Sequence, residues 1–278
     1  MTRIVVDSTS DLPTSTMEEL GIVMVPLRVH FGTEEFRDRV DLGGEEFFRK
    51  LGEAGELPTT SQPSPGEFLQ AYRQIPEDEP IISIHVSQKL SGTYDSALLA
   101  ARELPGREIR VVDTGNVTAA AGLLVLVAAD MVRAGNSPGE IEKALLEMSQ
   151  RTRLLAILDT LKYAVMGGRV SRVQGALGGL LRVKAVMLIH QGQIDRFPPA
   201  RTWRQAFQKV VADIREHGGP ERLGVIDAQA PDSRAALRAE LELSFPGVPI
   251  IEGALGAVIG THAGPGAVGC AYIANNAG

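Results

Sequence analysis

The stretch KAVMLIHQGQIDRF, residues 184–197, contains two short apolar runs separated only by Gln191 and Gly192. A two-residue connection that includes glycine is typical of a β-hairpin, in which the two strands are antiparallel. The stretch therefore excludes a purely parallel sheet in this half of the chain.

Four more apolar runs surround this hairpin after about residue 154. They are LLAIL (154–158), RLGVID (222–227), VPIIEG (248–253) and AVGCAYI (267–273). Together with the hairpin they make six candidate strands. We therefore expect a C-terminal α/β domain with a mixed or antiparallel six-stranded sheet.

The first half of the chain has a different pattern. Helical segments alternate there with β-branched runs, which are RIVVD (3–7), IVMVPLRVH (22–30), IISIHV (81–86) and REIRVVD (107–113). Such alternation is typical of a parallel sheet with helices on its faces. The sequence predicts two α/β domains, residues 1–152 and 153–278, with a boundary near residues 151–153.

Composition and charge exclude several classes of protein. The 278 residues have a formal net charge of −6, and the basic residues are dispersed, so we expect no nucleic-acid partner. Cys270 is the single cysteine, and the first residues lack the pattern of a secretory signal, so we expect a cytoplasmic location. The uncharged run at 117–129 is too short to span a membrane, and we interpret it as a buried helix.

Two loops contain groups that could hold an anion. In TTSQPSPGEF (59–68), Ser64 begins a capping box, but no local rule explains the hydroxyls of residues 59–61, which either bind something or lie in a solvated loop. In HVSQKLSGTYDSALLAARE (85–103), Ser91 and Gly92 precede a predicted helix, where free N–H groups attract anions. Gly92 would also let a ligand approach the backbone closely. The alternative is that Ser91 or Thr93 only caps the helix.

Three arginines stand beside predicted helix ends. Arg169 follows a glycine pair that should end a helix, and is interpreted as a surface residue. Arg201 and Arg204 flank Thr202, a predicted N-cap, at the end of a helix that disfavours cations. Either an anion lies nearby or both arginines are solvated.

Metal and cofactor motifs receive no support. Asp7 and Asp11 come at the end of the first strand and just after it, and we interpret them as turn residues. The histidines at positions 30, 85, 190 and 217 share no metal-ligand spacing. The G-x-S-x-G elbow, the P-loop and a G-x-G-x-x-G after a strand are all absent. We expect no metal and no cofactor.

Seven motifs, in order, span nearly the whole chain. They are DSTSDLP (7–13), TTSQPSPGEF (59–68), KLSGTYDSA (89–97), VVDTGNV (111–117), MGGRVSRVQGALGGLL (166–181), ARTWR (200–204) and GTHAGPGAVG (260–269). This set resembles the DegV family of bacterial fatty-acid-binding proteins. Two departures are Trp203, where that family commonly has a basic residue, and Ala185, where proline is usual.

The resemblance implies a long-chain fatty acid held between two α/β domains. It also implies, for some members, a role as the acyl-carrying subunit of a fatty acid kinase, whose catalytic partner phosphorylates the bound carboxylate. The family's carboxylate-binding residues fall on Thr60, Ser91 and His262, and its head-group arginine falls on Arg201. Gly92 is expected beside the carboxylate, and Arg169 beside Arg201 near the head group.

The sequence around His262 and two apolar stretches fit these expectations. The Gly-Pro-Gly after His262 should form a tight turn between strands that points the imidazole into a cleft. Candidate tunnel walls are ALGGLL (176–181) and GLLVLVAADMV (122–132), which would serve equally well as core.

The function predicted from sequence is fatty acid binding without catalysis, in phospholipid metabolism, with presentation of the carboxylate to a kinase. The alternative is an enzyme acting on a small phosphorylated or hydroxylated substrate in the interdomain cleft. A regulatory protein with a structural lipid is a third possibility.

Overall fold

The computed structural model describes residues 1–170 and 183–276, and their elements follow the predicted α/β alternation. The strands of the first half are β1 (Arg3–Asp7), β2 (Val23–Val25), β3 (Arg28–Phe31), β4 (Glu34–Arg37), β5 (Thr59–Ser61), β6 (Ile81–His85) and β7 (Ile109–Asp113). The strands of the second half are β8 (Thr152–Leu158), β9 (Lys184–His190), β10 (Gln193–Ala200), β11 (Pro220–Asp227), β12 (Ile250–Ala254) and β13 (Val268–Ala274).

The helices of the described ranges connect these strands, and a short 3-10 helix at Ser8–Ser10 follows β1. They are α1 (Thr14–Leu20), α2 (Gly44–Glu53), α3 (Pro65–Arg73), α4 (Thr93–Arg102), α5 (Thr118–Arg133), α6 (Pro138–Ser149), α7 (Lys162–Met166), α8 (Trp203–Glu216), α9 (Pro231–Ser244) and α10 (Ala257–Ala263).

The first half contains the predicted parallel sheet, in the order β2-β1-β6-β7. Alternate residues of β1 face opposite layers: Val5 packs with Phe68 of α3, whereas Ile4 and Val6 belong to the core shared with α5. The prediction of a parallel sheet with helices on both faces is confirmed.

The predicted strand at residues 22–30 is in fact two strands in two sheets. Pro26, which has no N–H group to donate to a sheet, separates β2 from β3. β3 pairs antiparallel with β4 and β5 in a small third sheet. The hydroxyl residues 59–61, considered as a possible loop, therefore form a strand.

The second half forms a mixed six-stranded sheet, in the order β10-β9-β8-β13-β11-β12. The hairpin is confirmed, since Gln193 pairs with His190 across a turn in which Gln191 and Gly192 both have positive φ. The β11–β12 pair is parallel, and the other pairs are antiparallel. Six strands and mixed pairing are both as predicted.

Helix α5 packs between the two large sheets. Its side chains share one apolar cluster with β1 of the first sheet and with Ile273 of the second. Helices α8 and α9 cover the opposite face of the six-stranded sheet. Helix α6 ends at Ser149 and β8 begins at Thr152, and a division at residues 152 and 153 stays a prediction.

Helix α5 contains most of the uncharged run of residues 117–129, and it is buried as expected. Across residues 1–170 and 183–276, none of the helices combines the length and the apolar character needed to cross a membrane.

Candidate functional site

A cavity of about 710 Å³ lies between the two large sheets. Its volume is within the range of small-molecule sites. The first half contributes residues of β5, the β6–α4 loop and the start of α5, whereas the second half contributes the inner face of its sheet together with α10. The cavity therefore needs both halves of the chain.

Alternate residues of the second sheet form the apolar wall. On β8, Leu154, Ala156 and Leu158 face the cavity, whereas Leu155 and Ile157 pack under α8 and α9. The neighbouring strands repeat this pattern, and their cavity-facing residues are Met187, Ile189 and Ile194. This wall is apolar over three consecutive strands.

The two stretches proposed from the sequence as tunnel walls are not found along the cavity in the described part of the chain. Residues 122–132 of α5 are not among the cavity-lining residues, because most of that stretch is buried between the sheets. Only Val117 and Thr118, at the start of this helix, reach the cavity. The second candidate, residues 176–181, lies outside the described residues.

Thr60 and His262 meet at a polar end of the cavity, although they are 202 residues apart in the chain. Thr60 Oγ1 lies 3.2 Å from His262 Nε2. His262 stands in the last turn of α10, so the expected turn between strands is wrong: the Gly-Pro-Gly segment connects a helix to β13. Gly264 has a φ of 74° and packs against the Tyr163 ring, where a Cβ would overlap it.

The His262 imidazole is neutral at physiological pH. Its burial, with a smaller contribution from Arg169, lowers the pKa of His262 to about 4. Its Nδ1 is buried and has no hydrogen-bond partner within the described ranges. A neutral imidazole still offers one N–H donor and one acceptor, so it can bind a carboxylate oxygen or a hydroxyl.

Ser91 and Gly92 lie at the start of α4, as predicted. Gly92 is the N-cap residue and has no side chain to cap the helix, and Ser91 Oγ lies 2.8 Å from Thr93 Oγ1. A Cβ at Gly92 would overlap the Gln62 side-chain amide, which donates to Ser96 Oγ at 3.2 Å. Gln62 also lines the cavity, and sequence reasoning missed it although it lies in the hydroxyl-rich motif.

Arg169 and Arg201 are the two arginines expected near the head group, and the structure brings only Arg169 to the cavity lining. It is exposed and donates from Nη1 to the Gly167 carbonyl at 2.8 Å, just after the glycine pair that ends α7 as predicted. Arg201 is exposed at the end of β10 and is absent from the lining. In the part of the chain that the structure describes, its guanidinium pairs with no carboxylate, and Thr202 caps α8 as predicted.

The β9–β10 hairpin closes one side of the cavity by docking on loops of the first half. Gly192 N donates to the Gly115 carbonyl at 2.6 Å, and Lys89 Nζ donates to the Gln191 carbonyl at 2.9 Å. Ile189 and Ile194, which lie on the two strands of the hairpin, line the cavity. The tip of the hairpin thus contacts the loops that follow β6 and β7 of the first sheet.

Gly167→Ala should weaken binding of a ligand at the His262 end about tenfold. A Cβ at Gly167 would overlap His262 Nδ1, so the imidazole must move and lose its contact with Thr60. The loss corresponds to about 1.4 kcal/mol, the scale of one hydrogen bond. Equilibrium titration with a long-chain carboxylic acid measures it.

Gly52→Ala is the matched control, because Gly52 lies in helix α2 with open space around its Cα. It should leave the affinity unchanged. Equal affinities for both variants would show that the position of the imidazole is unimportant to the ligand.

These features define a class of protein: an α/β protein whose two sheets enclose an apolar cavity with a polar end. The chain belongs to the DegV family, since the model described as "Uncharacterised protein, DegV family" matches residues 1–275.

Relatives of known description or structure match this chain over nearly its whole length. A fatty acid-binding protein of Thermotoga maritima is 35% identical over 277 residues, with 96% of each chain covered. A solved fatty-acid-binding DegV protein from Thermus thermophilus is 35% identical, has a TM-score of 0.89, and is covered over 99% of its length by 98% of this chain. A stearic-acid-binding protein from Eubacterium ventriosum is 26% identical with a TM-score of 0.91, over 99% of this chain and 98% of its own.

Proposed function

We propose that this protein binds one long-chain fatty acid, with the tail in the cavity and the carboxylate at Thr60, Ser91, Gly92 and His262. The observation that carries the proposal is a cavity with a three-strand apolar wall and a polar end. The fatty-acid-binding relatives described above support it.

The apolar wall accounts for most of the expected affinity. Each methylene transferred from water contributes about 0.8 kcal/mol, so a long tail outweighs the entropy lost on association. The polar end then fixes which way the acid lies. His262 donates a hydrogen bond without a charge of its own, and Arg169 supplies a positive charge at the cavity lining.

Mass spectrometry of an organic extract from natively purified protein tests the proposal. We expect about one equivalent of long-chain fatty acid, because a long tail buried against the apolar wall binds tightly enough to survive purification. Delipidated protein that shows no saturable fatty acid binding would contradict the proposal.

Thr60→Ala should weaken acid binding about tenfold and affect the corresponding fatty alcohol less. The Thr60 hydroxyl is placed to hydrogen-bond a charged carboxylate, and such bonds contribute about 1.5 to 3 kcal/mol. Paired titrations with stearic acid and stearyl alcohol measure the difference.

Thr59→Ala provides the control on the same strand, because Thr59 is exposed and does not line the cavity. It should bind both ligands like the wild type. If Thr60→Ala loses the acid and the alcohol equally, the hydroxyl supports the strand and not the carboxylate.

We propose further that the protein has no catalytic activity of its own and presents the carboxylate to a partner kinase. Arg201 supports this part, because it is exposed and free of carboxylate partners within the described ranges, and so is accessible to a second protein. A cytoplasmic location and a role in phospholipid metabolism go with this proposal as predictions.

Three buried side chains, those of Asp7, His85 and Ser83, form a hydrogen-bonded series with the residue types of a hydrolase triad. Asp7 Oδ2 lies 3.1 Å from His85 Nδ1, and His85 Nε2 lies 2.7 Å from Ser83 Oγ. Ser83 is fully buried, however, and its hydroxyl also accepts a hydrogen bond from Tyr72. No substrate reaches Ser83, so this arrangement does not favour the enzymatic alternative.

A further inference from the structure

Three strained residues from three separate segments converge at the beginning of α10. Asp11, Arg39 and Thr118 all have left-handed backbone conformations, with φ angles of 51°, 63° and 51°. This conformation is unfavourable for side chains other than glycine, and most of all for a β-branched residue such as Thr118. Tertiary contacts must therefore hold all three in place.

Asp11 is the centre of these contacts. Its carboxyl group is fully buried and accepts hydrogen bonds from the Thr118 hydroxyl at 2.7 Å, the Gly256 N–H at 2.8 Å and Arg39 Nη1 at 3.1 Å. Gly256 is the N-cap of α10. The first segment of the chain is thus tied through Asp11 both to the start of α5 and to the start of α10.

Asp38 is a second buried carboxyl group at the same helix end. Its Oδ1 accepts from the Ala257 N–H at 2.8 Å, and the Ser8 hydroxyl also interacts with this carboxyl group. A Cβ at Gly256 would lie 3.0 Å from both Asp11 Oδ1 and Asp38 Oδ1, so the two carboxyl groups approach the same Cα. Arg39 contacts the Asp11 member of this carboxyl pair.

Two carboxylates this close in a dry site disfavour full ionisation. Burial raises the pKa of Asp11 to about 6, and burial together with the Asp11 charge raises the pKa of Asp38 to about 7. A carboxyl group whose pKa rises on folding stabilises the protein most below its unfolded pKa, near 3.8, and this contribution is lost as the pH rises through about 7.

Helix α10 connects this carboxyl pair to the ligand site. Val258 and Ile259 of the helix line the cavity, and His262 follows in its last turn. Backbone hydrogen bonds from the Gly260 N–H to the Gly256 carbonyl and from the Gly264 N–H to the Gly260 carbonyl join the turns of this helix. A shift at Gly256 would therefore be transmitted to the imidazole and to its contact with Thr60.

We propose that Asp11 and Asp38 are positioning residues for His262, and that a proton held by their carboxyl pair keeps α10 in the ligand-binding position. The inference rests on the proposed fatty acid site for its consequence, which is an affinity that falls as the pair loses its proton. Two negative charges beside Gly256 then repel each other and loosen the start of the helix.

Hydrogen–deuterium exchange of the α10 amides in ligand-free protein tests the effect of the carboxyl pair on α10 without any fatty acid. From about pH 6 to about pH 8.5, the protection factors of the wild type should fall about fivefold. Asp38→Asn keeps an oxygen for the Ala257 N–H but cannot ionise, so no second charge develops beside Asp11 and its protection should change little with pH. Asp41→Asn, which removes an exposed aspartate paired with Arg37, should behave like the wild type.

Stearic acid affinity measured over the same pH range gives the second readout. It should fall about fivefold in the wild type and in Asp41→Asn, and stay constant in Asp38→Asn. Carboxyl-carbon NMR of the wild type reports the titration of both aspartates directly, even if Asp38→Asn does not fold.

Unchanged α10 protection across this range in the wild type, or the same fall in Asp38→Asn, would overturn the proposal. So would NMR showing both carboxyl groups already ionised at about pH 6. A third outcome separates the two proposals. If α10 protection depends on pH, Asp38→Asn abolishes that dependence, and the protein binds no fatty acid, then the positioning role is upheld and the proposed ligand is refuted.

Discussion

Ala156→Phe should weaken binding of stearic acid about a hundredfold and leave octanoic acid nearly unaffected. Ala156 lies in the middle of the apolar wall, between Leu154 and Leu158 on β8, and its small side chain leaves room in the cavity. A phenyl ring would occupy the space of roughly four methylenes, or about 3 kcal/mol of lost burial for a long tail. A short tail does not need that space.

Isothermal titration with acids of increasing length measures this prediction. Ala236→Phe is the control, because Ala236 is exposed on α9, which covers the face of the sheet away from the cavity. It should bind every acid like the wild type. If Ala156→Phe weakens short and long acids by the same factor, the ring has distorted the sheet and the wall does not measure tail length.

Arg201→Ala should lower acyl-phosphate formation about a hundredfold while fatty acid affinity stays within a few fold. Arg201 is exposed and does not line the cavity, so its loss removes no contact of the buried acid. On the proposal that a kinase acts at this surface, the guanidinium stabilises charge that develops only during phosphoryl transfer. Removing one such donor typically costs a factor of about 100 or more.

The experiment pairs equilibrium binding with turnover by a cognate kinase and ATP. Arg204→Ala, which removes a nearby exposed arginine in the first turn of α8, is the matched control and should turn over normally. Proportional losses of binding and turnover in Arg201→Ala would make the arginine an ordinary ligand contact.

Local patterns predict much of the fold. The two-residue turn at Gln191 and Gly192 leaves no alternative to a hairpin, and β-branched runs separated by helices specify a parallel sheet. The small sheet of β3, β4 and β5 escapes prediction because its strands are short, and β4 is largely exposed. Pro26 divides the run at 22–30 and is the signal that could have revealed β3.

The site is harder to predict from local sequence than the fold, because it depends on contacts between distant parts of the chain. The hydroxyl of Thr60 is recognisable as unexplained, but its contact with His262 forms only when the two ends of the chain meet. Alternation along β8 separates Leu154 from Leu155, yet both faces of this sheet are apolar, so periodicity cannot tell which face meets a cavity. Helix α5 is apolar on most sides, so its sequence indicates no preferred face and cannot tell that residues 122–132 lie between the sheets and not along the cavity.

The position of β13 in its sheet has a consequence for synthesis on the ribosome. β13 is the last strand along the described chain, but it lies between β8 and β11 and joins the β8–β9–β10 meander to the β11–β12 pair. Until it emerges, each of these two pieces has an unpaired edge that can join another chain. His262 emerges only a few residues earlier, so a nascent chain completes its sheet and its polar site almost together, and an incomplete chain has neither.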